Sequence, residues 1–278
     1  MKMTGDTQHR VAVDNTDWLK TFAIILVSVD HIGYFFIENA DWWNAIGRLA
    51  APPFFFLLGY AKTRGVPHYW IWTGIILTLL DSWNTDWVWV APNILLSFAL
   101  IRLARPHVQA FLQRYGWVAL ALFIAGLIAL LPSAANIADY GAEGWLWALF
   151  GLSQGMYVDS KPVADTDGMT HSSLAYGYGL TDKRGLMRLL TCLAAATVYV
   201  WQEQMEFTFY HVQLSAVIVG ICALSLSLCL FQRGPSRVQP VEPVAGALRF
   251  IGRHTLEIYV IQLAGFEIII RLMPDLAA

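Results

Sequence analysis

Apolar residues gather into nine stretches separated by polar connections: 17–37, 42–60, 67–81, 86–104, 114–132, 139–157, 185–202, 208–231 and 245–272. Most approach the ~20 helical residues that cross a bilayer core; the third is short and the ninth is longer than a crossing needs. The pattern predicts an all-α chain, a polytopic transmembrane helix bundle of about nine spans. No internal repeat is visible, so residues 1–278 read as a single integral-membrane domain. The first stretch holds polar residues and is followed by no small-residue cleavage site, which marks a retained anchor and not a signal peptide.

Cations fix the orientation, because lysine and arginine collect on cytoplasmic connections. They occur as Lys2 and Arg10 before the first stretch, and as Lys62 and Arg64 after the second. Arg102, Arg105 and Arg114 follow the fourth, Lys161, Lys183 and Arg184 the sixth, and Arg233 and Arg237 the eighth. The other connections carry acids: Glu38 and Asp41, Asp81 and Asp86, Asp139, and Glu203 and Glu206. This alternation predicts a multi-pass membrane protein with its N-terminus in the cytoplasm and its C-terminus outside. Tryptophans fit the same frame as an interfacial belt, with Trp42, Trp43, Trp83, Trp87, Trp89, Trp145 and Trp201 at outer ends and Trp18, Trp70, Trp72 and Trp117 at inner ones.

Composition narrows the function classes. Hydrophobic residues make up 57% of the chain and charged residues 14%, which suits lipid-facing helices better than a soluble core. A net charge of −2 offers no basic domain for nucleic acid. Cys192, Cys222 and Cys229 lie inside apolar stretches without metal-ligand spacing and read as small core residues. The chain has no Gly-rich phosphate loop, nucleophile elbow or His-Glu-x-x-His motif, so neither a metal site nor phosphoryl transfer is expected. The longest connection, 158–184, includes Ala175-Tyr176-Gly177-Tyr178-Gly179 and reads as a mobile cytoplasmic loop or as a flap over a cofactor.

Ionisable residues inside a crossing are costly, and they mark function by default. Asp30 and His31 are adjacent in the first stretch, and Arg48 lies in the second. Counting 1.5 Å per residue, His31 lies about 9 Å from the outer edge and Arg48 about the same depth, so a hairpin aligns them. Neighbours on a helix differ by about 100°, so Asp30 and His31 need partners from other helices. Asp30 has Arg48 as its natural ion-pair partner, while His31 can exchange protons near neutral pH. In the last stretch Thr255, Tyr259, Gln262 and Phe266 share one face, with Gln262 expected to point into the bundle. His254 and Glu257 are spaced to pair as a surface contact.

Five segments occur in an order that carries a resemblance. They are Asp17-Trp18-Leu19-Lys20, Val29-Asp30-His31-Ile32-Gly33, Ile46-Gly47-Arg48-Leu49-Ala50 with Pro52, Tyr140-Gly141-Ala142-Glu143-Gly144, and Gly252-Arg253-His254 running on to Gln262. The set resembles the TraX family of membrane acetyltransferases, itself acyltransferase-3-like. That resemblance implies acetyl transfer from acetyl-CoA, and the family's founding member is associated with N-terminal acetylation of a conjugative pilin subunit. Gln262 stands where the family's last-helix motif often ends in histidine.

The mechanism this implies is direct transfer. Acetyl-CoA enters from the cytoplasm, its phosphates meeting Lys62, Arg64, Arg102 or Arg105. His31 acts as general base toward an amine or hydroxyl of an acceptor peptide or glycan on the outer side, with Arg48 or Tyr259 stabilising the oxyanion. Asp30 completes the catalytic set. Two rival classes stay open. Buried Asp, His and Arg also suit a proton-coupled transporter, although no inverted repeat or paired broken helix is visible in the sequence. A non-catalytic assembly factor is the third reading.

Overall fold

The computed structural model describes residues 12–63, 65–87, 90–134, 137–160, 182–273 and 275. Within them the chain forms eleven helices: α1 (Asn15–Phe36), α2 (Asp41–Gly47), α3 (Ala51–Tyr60), α4 (His68–Asn84), α5 (Ile94–Tyr115), α6 (Trp117–Ala134), α7 (Gly141–Ser160), α8 (Lys183–Phe207), α9 (His211–Cys229), α10 (Val244–Arg253) and α11 (Thr255–Leu272). Among the described residues β-pairing is limited to one bridge between Asp14 and Pro235. Lys2, Arg10, Trp89, Lys161 and the Ala175–Gly179 segment lie outside the described residues.

Three of the nine stretches take a different form from the one their apolar length suggests. The second, 42–60, divides into α2 and α3. Pro52 and Pro53 have no N–H, so the carbonyls of Arg48 and Leu49 lose their helical donors and the chain breaks there. The fourth stretch shifts from 86–104 to Ile94–Tyr115. Asp86 and Trp87 adopt positive φ, Pro92 opposes an earlier start, and the Asn93 side chain caps the helix by accepting from the Leu95 amide. Arg102, Arg105 and Arg114 therefore sit on α5 and not in a connection. The ninth stretch divides at His254 into α10 and α11, where the Thr255 hydroxyl donates to the carbonyls of Ile251 and Gly252.

Five helices close a ring: α1 packs on α3, α3 on α5, α5 on α4, α4 on α11, and α11 back on α1. Outside it, α7 backs α3, α8 backs α7, and α9 bridges α8 and α2. The core lies where α3, α7 and α8 meet, with Phe55, Phe56, Trp147, Phe150 and Tyr199 fully buried. Gly151 makes the α3–α7 crossing close, since a Cβ there would strike the Phe56 carbonyl.

α1 and α9 are long and apolar enough to cross a membrane, and only 33% and 39% of their most apolar windows is buried. The core helix of a soluble protein would be mostly covered. Here Phe22 and Ile25 on α1, and Val212, Val219 and Leu226 on α9, face outward as a surface suited to lipid.

Candidate functional site

The approximate 100° between Asp30 and His31 sends them to different partners, as their helical spacing requires. Asp30 turns to α2, where Gly47 is so close that a Cβ would overlap the Asp30 side chain. One residue later, Arg48 forms an ion pair with Asp30. Its Nε also lies 3.9 Å from Glu203 of α8, and its guanidinium sits 4.7 Å above the Phe207 ring. The broken backbone is used as well: the Tyr199 hydroxyl donates to the orphaned Arg48 carbonyl at 2.6 Å. Arg48 is thus held between two carboxylates whose side chains are 10% and 2% exposed.

His31 turns to α11. Its ring lies 5.8 Å from the Tyr259 ring and 6.2 Å from Phe35, and its Nδ1 has no hydrogen-bond partner among the described residues. The shared face expected on α11 is the one that meets α1: the Ser28 hydroxyl donates to Gln262 at 3.0 Å, and Phe266 packs on Phe35 and Phe36. On the opposite wall the Asn93 amide donates to the Tyr259 hydroxyl at 3.1 Å.

A cavity of roughly 600 Å³ runs through the ring and is lined by Asp30, His31, Arg48 and Tyr259 together. Its α1 lining extends from Thr16 to Phe35, a rise of about 28 Å and close to the thickness of a bilayer core. One end gathers four cations, Lys20, Arg102, Arg233 and Arg253, beside one carboxylate, Glu257. The other gathers the carboxylates of Asp81 and Glu267, with Asn84 donating to Glu267. Between the ends, Phe54, Leu77, Leu95 and Phe98 form an apolar part of the wall, and Asp30, His31, Arg48 and Asp139 its ionisable part.

The four cations expected at the cytoplasmic entrance are placed unequally. Arg102 lines the cavity, bonding the Thr63 hydroxyl and stacking 5.0 Å from the Trp70 ring. Lys62 is an exposed surface residue paired with Asp159 at 2.8 Å. Arg105 donates to the Gly59 carbonyl at 2.7 Å, capping the end of α3 outside the cavity. Arg64 lies outside the described residues. Lys20, Arg233 and Arg253 take up the basic end instead, and charge counting by connection missed Lys20 because it lies inside a crossing. Lys20 and Arg253 both belong to ordered motif segments, and that was the available signal. Glu203 has no such signal, since the seventh apolar stretch ends at 202, whereas α8 continues to Phe207 with Glu203 only 1% exposed.

His254 and Glu257 form a half-exposed contact at 4.0 Å, the surface pair their spacing suggests. Cys192 and Cys229 are buried with sulfurs 3.9 Å apart, whereas Cys222 faces outward.

Residues 15–154, which contain Asp30, His31, Arg48, Lys20 and Asn93, match the family model described as TraX protein. No curated protein and no solved structure matches the chain. With two helices fit to cross a bilayer, the match identifies a membrane protein.

Proposed function

The chain belongs to the TraX family, and from that membership we propose that it is a multi-pass inner-membrane acyltransferase carrying acetyl from cytoplasmic acetyl-CoA to an acceptor on the outer side. The observation that carries this reading is the continuous cavity from the basic end to the acidic end, past His31. In a nine-crossing arrangement α2 with α3 makes one crossing and α10 with α11 makes the last. The N-terminus and the Lys20 end then face the cytoplasm, and Asp81 and Glu267 face outward.

The nucleotide phosphates of acetyl-CoA meet Lys20, Arg102, Arg233 and Arg253, and the pantetheine arm follows the apolar wall toward His31. His31, about 16 Å of helix rise above Lys20, takes the proton of the acceptor amine or hydroxyl as it attacks the thioester carbonyl. The tetrahedral oxyanion is stabilised by the Tyr259 hydroxyl. The C–S bond then breaks, and the thiolate of CoA receives the proton from His31. Arg48, committed to Asp30 and Glu203, supplies positive potential and fixes the broken helix. The acidic outer end suits a cationic acceptor such as the free N-terminus of a pilin.

Protein in liposomes, given radiolabelled acetyl-CoA on the Lys20 side, is expected to label a peptide α-amine on the other side. A transporter is the second reading, favoured by the helix broken at Arg48, since carriers place such breaks at their binding sites. Solute flux in liposomes without CoA, together with no label on any acceptor, would decide for it.

Charge reversal at Lys20 or Arg102 is expected to raise the KM for acetyl-CoA at least about tenfold at low salt, with a smaller effect at high salt as screening grows. A KM unchanged at every ionic strength would remove the basic end from donor binding.

A further inference from the structure

We infer that Asn93 is a positioning residue that turns the Tyr259 hydroxyl proton into the cavity beside His31, an inference that rests on the acyltransferase reading. Asn93 is the N-cap of α5. Its Oδ1 accepts from the Leu95 amide at 3.1 Å, and its own backbone N–H donates to the Thr78 hydroxyl at 2.9 Å. That hydroxyl in turn donates to the Gly74 carbonyl at 2.8 Å on α4. Backbone and side chain are therefore both pinned.

Capping settles which way the amide faces. A backbone N–H can only be met by the oxygen, so the NH₂ group is the part left to point at Tyr259. Flipping the amide would face NH₂ to the Leu95 N–H and oxygen to the phenol oxygen, losing the cap. With NH₂ inward, the phenol oxygen is an acceptor, and its own proton must go elsewhere. Among the described residues no group accepts that proton, and both Asn93 and Tyr259 line the cavity. The proton is available to a thioester oxygen, and a hydroxyl that already accepts one hydrogen bond donates a stronger one.

Cap and donor are separable by substitution, because serine and aspartate cap as well as asparagine. Serine is too short to reach Tyr259, and an ionised aspartate reaches it only as an acceptor, drawing the phenol proton away from the cavity. In the full chain, Asn93→Ser and Asn93→Asp are expected to lower kcat about 10- to 100-fold, with the KM for acetyl-CoA and the thermal midpoint unchanged; outright loss of an oxyanion donor costs about 10²–10³-fold, and these variants misorient the donor without removing it. Tyr259→Phe is expected to fall at least as far, and adding Asn93→Ser to it should cost nothing more. Wild-type kcat in both Asn93 variants, or an equal further loss in the Tyr259→Phe background, overturns the role. The ¹⁹F resonance of 3-fluorotyrosine placed at 259 should also shift in Asn93→Ser; an unmoved resonance overturns the contact whether or not acetyl is transferred. A shifted resonance in a protein that acetylates no acceptor leaves the contact standing and overturns both the acyltransferase reading and this role.

Discussion

Replacing His31 by alanine is expected to lower acetyl transfer about 10²–10⁴-fold, the range in which a positioned general base contributes. The substitution should be clean, because the His31 ring meets Phe35 edge-on and Tyr259 at a tilt, and its Nδ1 has no hydrogen-bond partner among the described residues. Donor binding should survive, since the cations of the basic end lie about 16 Å of helix rise below His31 at Lys20. The measurement is label transfer from acetyl-CoA under saturating donor, with the donor KM determined in parallel. Equal rates for the two proteins would take His31 out of the mechanism. A fall in affinity with kcat intact would make it a binding residue.

Much of this site is legible in the sequence. The separation of Asp30 from His31 followed from helix geometry, the Asp30–Arg48 pair from depth, and the α1-facing side of α11 from the spacing of Tyr259, Gln262 and Phe266. The break at Arg48 was also written in the chain, as Pro52-Pro53, but an uninterrupted apolar run concealed it. Hydropathy measures how long a segment is in lipid terms; it does not ask whether each carbonyl has a donor. The entrance cations failed for a different reason. Charge counting assigns a side of the membrane, while the partner of each cation depends on tertiary packing. Arg105 meets a helix end and Lys62 meets Asp159, and neither contact has a local signature. Glu203 lay beyond reach for a related reason: a carboxylate reads as the end of a crossing unless the cation waiting for it is known.

Arg48 is where removal of a single side chain should damage the fold most. Arg48→Ala would leave Asp30, 7% exposed, and Glu203, 1% exposed, as buried acids without a cation, a loss of about 3–5 kcal/mol for breaking such a pair. It would also strip the cation from the face of Phe207. Low yield of folded protein in mild detergent and a lowered thermal midpoint are the expected results. Arg48→Lys should recover only part of the loss, because one ammonium cannot address Asp30 through a terminal nitrogen and Glu203 through Nε as the planar guanidinium does. Pairing Arg48→Ala with Asp30→Asn should restore stability beyond the single substitution, since one of the two stranded charges goes with it. If Arg48→Ala folds as well as the wild type, the ion cluster does not hold the broken helix, and the guanidinium is kept for what passes through the cavity. In that event transfer should fall while the melting curve stays in place, and the two measurements on one preparation separate the roles.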